Sequence, residues 1–356
     1  MKKSQRRWLG WGLGAVILAF ILFELHRSSQ WKDFRWSRLW FLLTHLNSGL
    51  LILAVVASIL TYLLRAYRWK FFVNPVKKCS LWVIFKGQIF GFSSIYLIGR
   101  AGEIVRPAYI AKAEKLTFTS QVAVWVLERI YDSVALAAII GLALWFEPVN
   151  VVDARSARLL KQMHHAALLI LVLCALLVAA LAFYRFYSEA ILARVERSLR
   201  FIPGKILGRV TSFMRSFSTG LEVIQDFRDL FASVVSTAFL WGLNVTVMWL
   251  SFRCLGGRLE ALTWWAAALI LGIAAVGLVI QLPGVGGGYQ VAALLALEGI
   301  FHAPPAAAAS GAIVTWITVM GPCLLIGVAL LLYDGLGLKK LLAAAEEQHR
   351  MSAPKV

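Results

Sequence analysis

Long apolar runs decide what this chain can become. A membrane-spanning helix needs roughly 20 apolar residues in succession. Runs of that order occur at 8–25, 47–67, 119–146, 164–186, 230–254, 262–281 and 306–333. With 60% hydrophobic residues and a mean hydropathy of +0.76, the 356-residue chain exceeds the apolar share of water-soluble domains. The polar stretches between the runs are short or amphipathic, which leaves no room for a soluble domain. The expected fold is all-α: a polytopic transmembrane bundle of about seven or eight long helices with one or two re-entrant or broken segments. It forms a single domain over 1–340, followed by a cytoplasmic tail, 341–356.

The formal charge of +18 does not point to nucleic acid, because the basic residues flank the apolar runs. Arg65, Arg68, Lys70, Lys77 and Lys78 follow one run with no acid among them, the pattern of a cytoplasmic loop drawn to anionic lipid. Lys2, Lys3, Arg6 and Arg7 place the N-terminus inside. No small-residue cleavage site follows Leu25, so 8–25 is expected to stay as the first helix. The loop 187–229, with Arg194, Arg197, Arg200, Lys205, Arg209 and Arg215, is also expected inside. Its apolar residues, Ile206, Val210, Phe213, Met214, Phe217, Leu221, Ile224 and Phe227, recur near helical spacing, as in an amphipathic helix on the inner membrane surface.

Counting back through two helices puts Arg100 to Lys115 on the cytoplasmic side. Segment 80–98, interrupted by Lys86, Gly87, Gln88, Gly91, Ser93 and Ser94, must then enter and leave by one face as a re-entrant hairpin. In the second half, either 262–281 and 288–302 each cross, or 262–302 is a hairpin entering from the outer face, with 282–302 as its re-entrant part. Both leave Lys339 and Lys340 inside. The implied location is the cell (inner) membrane, multi-pass, with both termini cytoplasmic. Loop 26–47 runs against the charge pattern: it is expected outside, yet carries Arg27, Lys32, Arg35 and Arg38 against Asp33.

Two glycine-rich interruptions locate the candidate site, since broken segments in the two halves of a membrane protein point to a transport site. In LIGRAGEIVRP, Arg100, Glu103 and Arg106 recur every three residues. Two guanidinium groups suit a phosphate, and glycine amides at a helix start add anion donors. An ordinary basic loop explains the arginines but not Glu103 or the glycines. In QLPGVGGGYQ, Gly284 and Gly286 allow close approach of a ligand and Gln290 adds a polar group, or the stretch is a tight helix–helix turn. Glu128, Arg129 and Asp132 interrupt an apolar run, with Glu128 and Asp132 on one helix face. Such groups need a partner or a cavity. They form a lipid-headgroup or proton site, a structural ion pair to the re-entrant segment, or both. Arg65, Tyr67, Arg68 and Trp69 read as a basic interfacial anchor, while Lys86 and Gln88 are cavity-lining candidates. Asn244 and Glu298 read as local hydrogen-bonding devices.

The four cysteines lack metal spacing and read as buried small residues. No motif calls for a cofactor, and the Gly-x-Ser-x-Gly, His-Glu-x-x-His and Asp-x-Asp signatures are missing.

Taken in order, Arg65 to Trp69 (R-x-Y-R-W), Ile98 to Pro107 (I-G-R-A-G-E-x-x-R-P), Glu128 to Asp132 (E-R-x-x-D) and Leu282 to Gly288 (L-P-G-x-G-G-G) resemble the lysylphosphatidylglycerol synthase transmembrane, or flippase-like, family. The resemblance covers roughly 10–335. It implies a bundle with re-entrant helices that moves lipids or lipid-linked intermediates between leaflets. Two departures qualify it. No aminoacyltransferase domain appears before Val356, so lipid lysylation by this chain is not expected. Gln290 stands where the family often has Glu, which weakens any aminoacyl-lipid specificity. The expected function is therefore translocation of an anionic phospholipid or lipid-linked intermediate. The alternative is an enzyme or subunit in a polyprenyl-lipid, hopanoid-lipid or envelope-glycan pathway. Expected partners are membrane lipids with anionic headgroups, envelope-biosynthesis enzymes and further copies of the chain.

Overall fold

The computed structural model describes residues 35–147, 154–198, 204–222, 227–278, 281–282 and 286–334. The expected helix 8–25, Lys339, Lys340 and the tail 341–356 lie outside the described residues. A short helix α1 (Trp36–Thr44) leads into α2 (Ser48–Val73), whose Asn47 side chain accepts from the Leu50 amide at 3.1 Å. α3 (Leu81–Ile98), a 3-10 turn (Gly99–Ile104) and α4 (Val105–Glu114) follow. Next come α5 (Phe118–Phe146), α6 (Ala154–Phe186), α7 (Ser188–Ser198), α8 (Gly204–Gly220) and α9 (Phe227–Arg253). A one-turn α10 (Gly257–Glu260) precedes α11 (Trp264–Gly277). Then β1 (Gln281–Leu282) and β2 (Gly286–Gly287) form a small antiparallel pair before α12 (Gly288–Gly299) and α13 (Pro305–Tyr333).

Among the described residues, five helices are long and apolar enough to cross a bilayer: Ser48–Val73, Phe118–Phe146, Leu168–Phe186, Phe227–Arg253 and Pro305–Tyr333. Hydrogen bonds sort their ends. Asn47 N bonds Cys254 O at 2.8 Å, and Thr263 bonds Glu147, so the starts of α2 and α11 share one end of the bundle with the finishes of α9 and α5. At the other end, Asn74 reaches Asp229 at 3.4 Å, and Lys86 pairs with Asp334 at 2.8 Å, joining the start of α3 to the finish of α13.

Segment 80–98 is not broken. Leu81–Ile98 is one continuous helix, about 27 Å long at 1.5 Å per residue, so its two flanks lie at opposite ends. The return leg is α4, about 15 Å long, which brings the Glu114 carboxylate back to the Ser80 amide at 3.0 Å. The residues that interrupt the apolar pattern make this hairpin tight. A Cβ on Gly87 would sit 2.7 Å from Ile110 Cγ1, and one on Gly91 would sit 2.6 Å from Arg106 Cβ. Ser93 donates to Cys323 O at 3.1 Å on α13.

The second half repeats the motif. α11 and α12 are about 21 Å and 18 Å long, each shorter than an upright span. They pack against each other where a Cβ on Gly277 would meet Gly288 O at 2.2 Å. The run expected at 262–281 thus ends as helix at Gly277. β1 lies against the 3-10 turn, so the two glycine-rich interruptions meet. Loop 187–229 is also more than a surface helix: α8 docks on α5, with Gly220 against Ser120 O and Tyr184 OH bonding Met214 O at 2.7 Å.

Candidate functional site

Glu128 and Asp132 lie one helical turn apart on α5, and both face inward. Burying a carboxylate in an apolar bundle demands cations, and α2 supplies the deepest one. Arg68, 0% exposed, donates from one nitrogen to Glu128 Oε1 at 2.7 Å and from the other to Asp132 Oδ1 at 2.6 Å. Arg106, at the start of α4, donates to Glu128 Oε1 at 3.1 Å and to Gln88 Oε1 on α3 at 2.7 Å, and its second nitrogen contacts Glu128 Oε2. Arg129 lies 3.1 Å from Asp132 Oδ2 and 3.4 Å from Glu128 Oε2. Arg65 reaches Asp132 at 3.8 Å. From α9, Trp241 Nε1 donates to Asp132 Oδ1 at 3.2 Å, and Thr237 accepts from Arg68 at 3.3 Å. Five helices are thereby tied together through two carboxylates.

Aromatic faces complete the shell. The Arg106 guanidinium stacks 4.5 Å over Trp69 and 5.5 Å over Phe92, and Arg65 lies 5.0 Å from Phe92. Trp69 is fixed in turn by Gln121 at 3.1 Å.

A cleft opens beside the cluster, lined by Gly91, Phe92, Ile95, Glu103, Arg106, Trp125 and Arg129. The side chain of Arg129 is 38% exposed, the most of any charged group in the network. Glu103 acts on it electrostatically from the hairpin tip. Two buried donors at the cleft, Trp125 Nε1 and Arg129 Nε, have no hydrogen-bond partner among the described residues. Among the described side chains, four guanidinium groups (Arg65, Arg68, Arg106, Arg129) face three carboxylates (Glu103, Glu128, Asp132), which leaves one positive charge in excess. The cleft therefore offers an anion charge, donors and an aromatic wall.

The structure draws Glu103, Arg106, Glu128, Arg129 and Asp132 together. The side chain of Arg100 and all of Gly284 lie outside the described residues. Gly286 pairs with Leu282 in the antiparallel β pair and Gln290 is half-buried on α12; neither lines the cleft. Gly99 and Gly102 are buried, not exposed anion donors. A Cβ on Gly102 would fall 2.4 Å from the Ser94 carbonyl carbon, so this glycine serves the close approach of turn and helix. The interfacial-anchor reading of Arg65 to Trp69 is overturned, because α2 continues to Val73 and Arg68 and Trp69 are fully buried. Arg65, Arg68 and Trp69 share a helical face, which does not by itself say which way that face turns, while Tyr67 points away, 45% exposed. Gln88 joins the cluster, whereas Lys86 pairs with Asp334 instead. Asn244 bonds Leu240 O at 2.8 Å, a local device as expected.

The chain matches the family described as the lysylphosphatidylglycerol synthase TM region over residues 7–327, and it belongs to that family. Together with the apolar helices, this makes it a multi-pass membrane protein. A comparison with curated proteins gives no match.

Proposed function

We propose that this protein is a lipid translocase in which the cleft receives the phosphate of an anionic phospholipid or lipid-linked intermediate. The observation that carries the reading is the excess of positive charge around a cleft inside an apolar bundle. An unneutralised charge at membrane depth is costly, so the site is stabilised by an anion. Arg129 and Trp125 would hold the phosphate, Arg106 would add positive field from behind, and Glu103 would set the charge at the mouth. Leu97 and Ile104, both exposed at the same hairpin tip, give an apolar border along which acyl chains stay in lipid. The lysine-rich end of the bundle, with Lys77, Lys78, Lys112 and Lys115, faces the cytoplasm in this reading. Two hairpins shorter than a span, meeting tip to tip, suit a substrate path that crosses the bilayer between them.

The test is dithionite bleaching of fluorescent phosphatidylglycerol in proteoliposomes. The wild type should make inner-leaflet lipid accessible. Arg129→Gln should slow this by roughly tenfold or more, the worth of one charge-assisted hydrogen bond. Equal rates for the two proteins would refute the assignment.

A further inference from the structure

At the bundle end that holds the starts of α2 and α13, α1 lies with two distinct faces. Leu39 is buried, and Leu42, Leu43 and Leu46 pack on the core around Cys254, Leu255 and Leu259. The other face presents Trp36 and Trp40, one turn apart and 75% and 70% exposed, with Phe41 beside them. Arg35, which caps the start of this short helix, and Arg38, within it, are exposed, Arg38 lying 5.6 Å over the Phe41 ring. The Asn47–Cys254 backbone bond sets this helix next to the α9–α10 turn. That turn adds Arg253, stacked 4.7 Å over Trp249, and the exposed Arg258. Among the described residues, the acids near this end are Glu260 in the turn, Glu147, bonded to Thr263, and the buried Glu298. The lipid cleft uses none of these residues.

Two exposed tryptophans on a short helix are poorly placed against water but well placed at the depth of lipid headgroups, where the indole bodies reach acyl chains. Arginines around them match phosphate oxygens, which they bind in a forked geometry. We propose that α1 and the α9–α10 turn form a platform that binds anionic phospholipid headgroups of the leaflet at this end, opposite the lysine-rich end. The platform explains why Arg35 and Arg38 stand where a topological count expects few arginines: they read lipid phosphate and do not set orientation. Charge complementarity favours a lipid monolayer, and the location at the ends of five spans supplies one.

The experiment puts p-benzoylphenylalanine in place of Trp40 in the full chain. The protein is reconstituted in vesicles of equal phosphatidylglycerol and phosphatidylcholine, irradiated, and its adducts are identified by mass spectrometry. Phosphatidylglycerol adducts should exceed phosphatidylcholine adducts by roughly fivefold, the effect of a single basic residue near an anionic surface. Arg35→Gln with Arg38→Gln should lower the ratio at least twofold, Arg253 and Arg258 holding the remainder. Thermal unfolding should not move, because neither arginine packs in the core. Parity in the unsubstituted background, an unchanged ratio in the double variant, or crosslinks to a second copy of the chain would overturn the proposal. The readout is lipid contact at α1, so it stands or falls apart from any transport through the cleft.

Discussion

Arg68 spans two carboxylates with one planar fork, and this decides what can replace it. Its two terminal nitrogens serve Glu128 and Asp132 separately. A lysine's single ammonium cannot reproduce the planar fork that aims separate nitrogens at the two carboxylates. Arg68→Lys should therefore cost about 1.5–3 kcal/mol, the worth of one hydrogen bond to a charged group, read as a lower unfolding temperature in detergent. Glu128→Gln should cost more, about 3–5 kcal/mol, because it strands Arg68 and Arg106 together. Adding Arg106→Gln should recover part of that loss, and strict additivity in this double-mutant cycle would contradict the network. Glu128, Arg129 and Asp132 were legible in the sequence, since charge inside an apolar run has few explanations. Arg68 was not. It sits where basic residues usually mark a membrane boundary, and only its partners on α5, 60 and 64 residues away in sequence, show otherwise.

At the scale of elements, glycines that look alike in sequence have opposite meanings. In the tip turn, a Cβ on Gly102 would sit 2.4–2.5 Å from Ser94 and Ile95 backbone atoms, which cannot swing away as a side chain can. Gly141, within α5, has nothing within 4 Å of its added Cβ. Gly102→Ala should destabilise by about 1–3 kcal/mol through overpacking and should slow lipid movement by displacing Glu103. Gly141→Ala should be neutral or stabilising by up to about 1 kcal/mol. Thermal unfolding of the two variants checks both. The same contrast explains why segment 80–98 reads as broken: its glycines and serines interrupt the apolar pattern, but they admit α4 and α13 against an unbroken helix. Their partners lie outside any local window, so periodicity alone does not reveal the hairpin.

For the whole molecule, the arrangement of helix ends predicts which residues share a membrane face. The four native cysteines are buried, and burial next to Glu114 pushes the Cys79 thiol up to about 11, so introduced cysteines can be read against a quiet background. Lys78→Cys and Lys115→Cys should react with an impermeant maleimide from one side. Ala261→Cys and His302→Cys should react from the other. Labelling of Lys78→Cys and Lys115→Cys from opposite sides would break the first hairpin. The class of fold was legible from the apolar runs, and so was the pairing of two interrupted segments. Which leg returned, and the meeting of the two tips, depended on contacts between halves of the chain that no local pattern records. The central claim remains the cleft's appetite for an anion. Native mass spectrometry of the purified protein, offered equal phosphatidylglycerol and phosphatidylcholine, tests it most directly when the wild type is compared with Arg129→Gln. The account predicts that the wild type retains phosphatidylglycerol in preference, and that the variant loses roughly tenfold of that preference. Equal retention of the two lipids by the wild type, or an unchanged preference in Arg129→Gln, would contradict it.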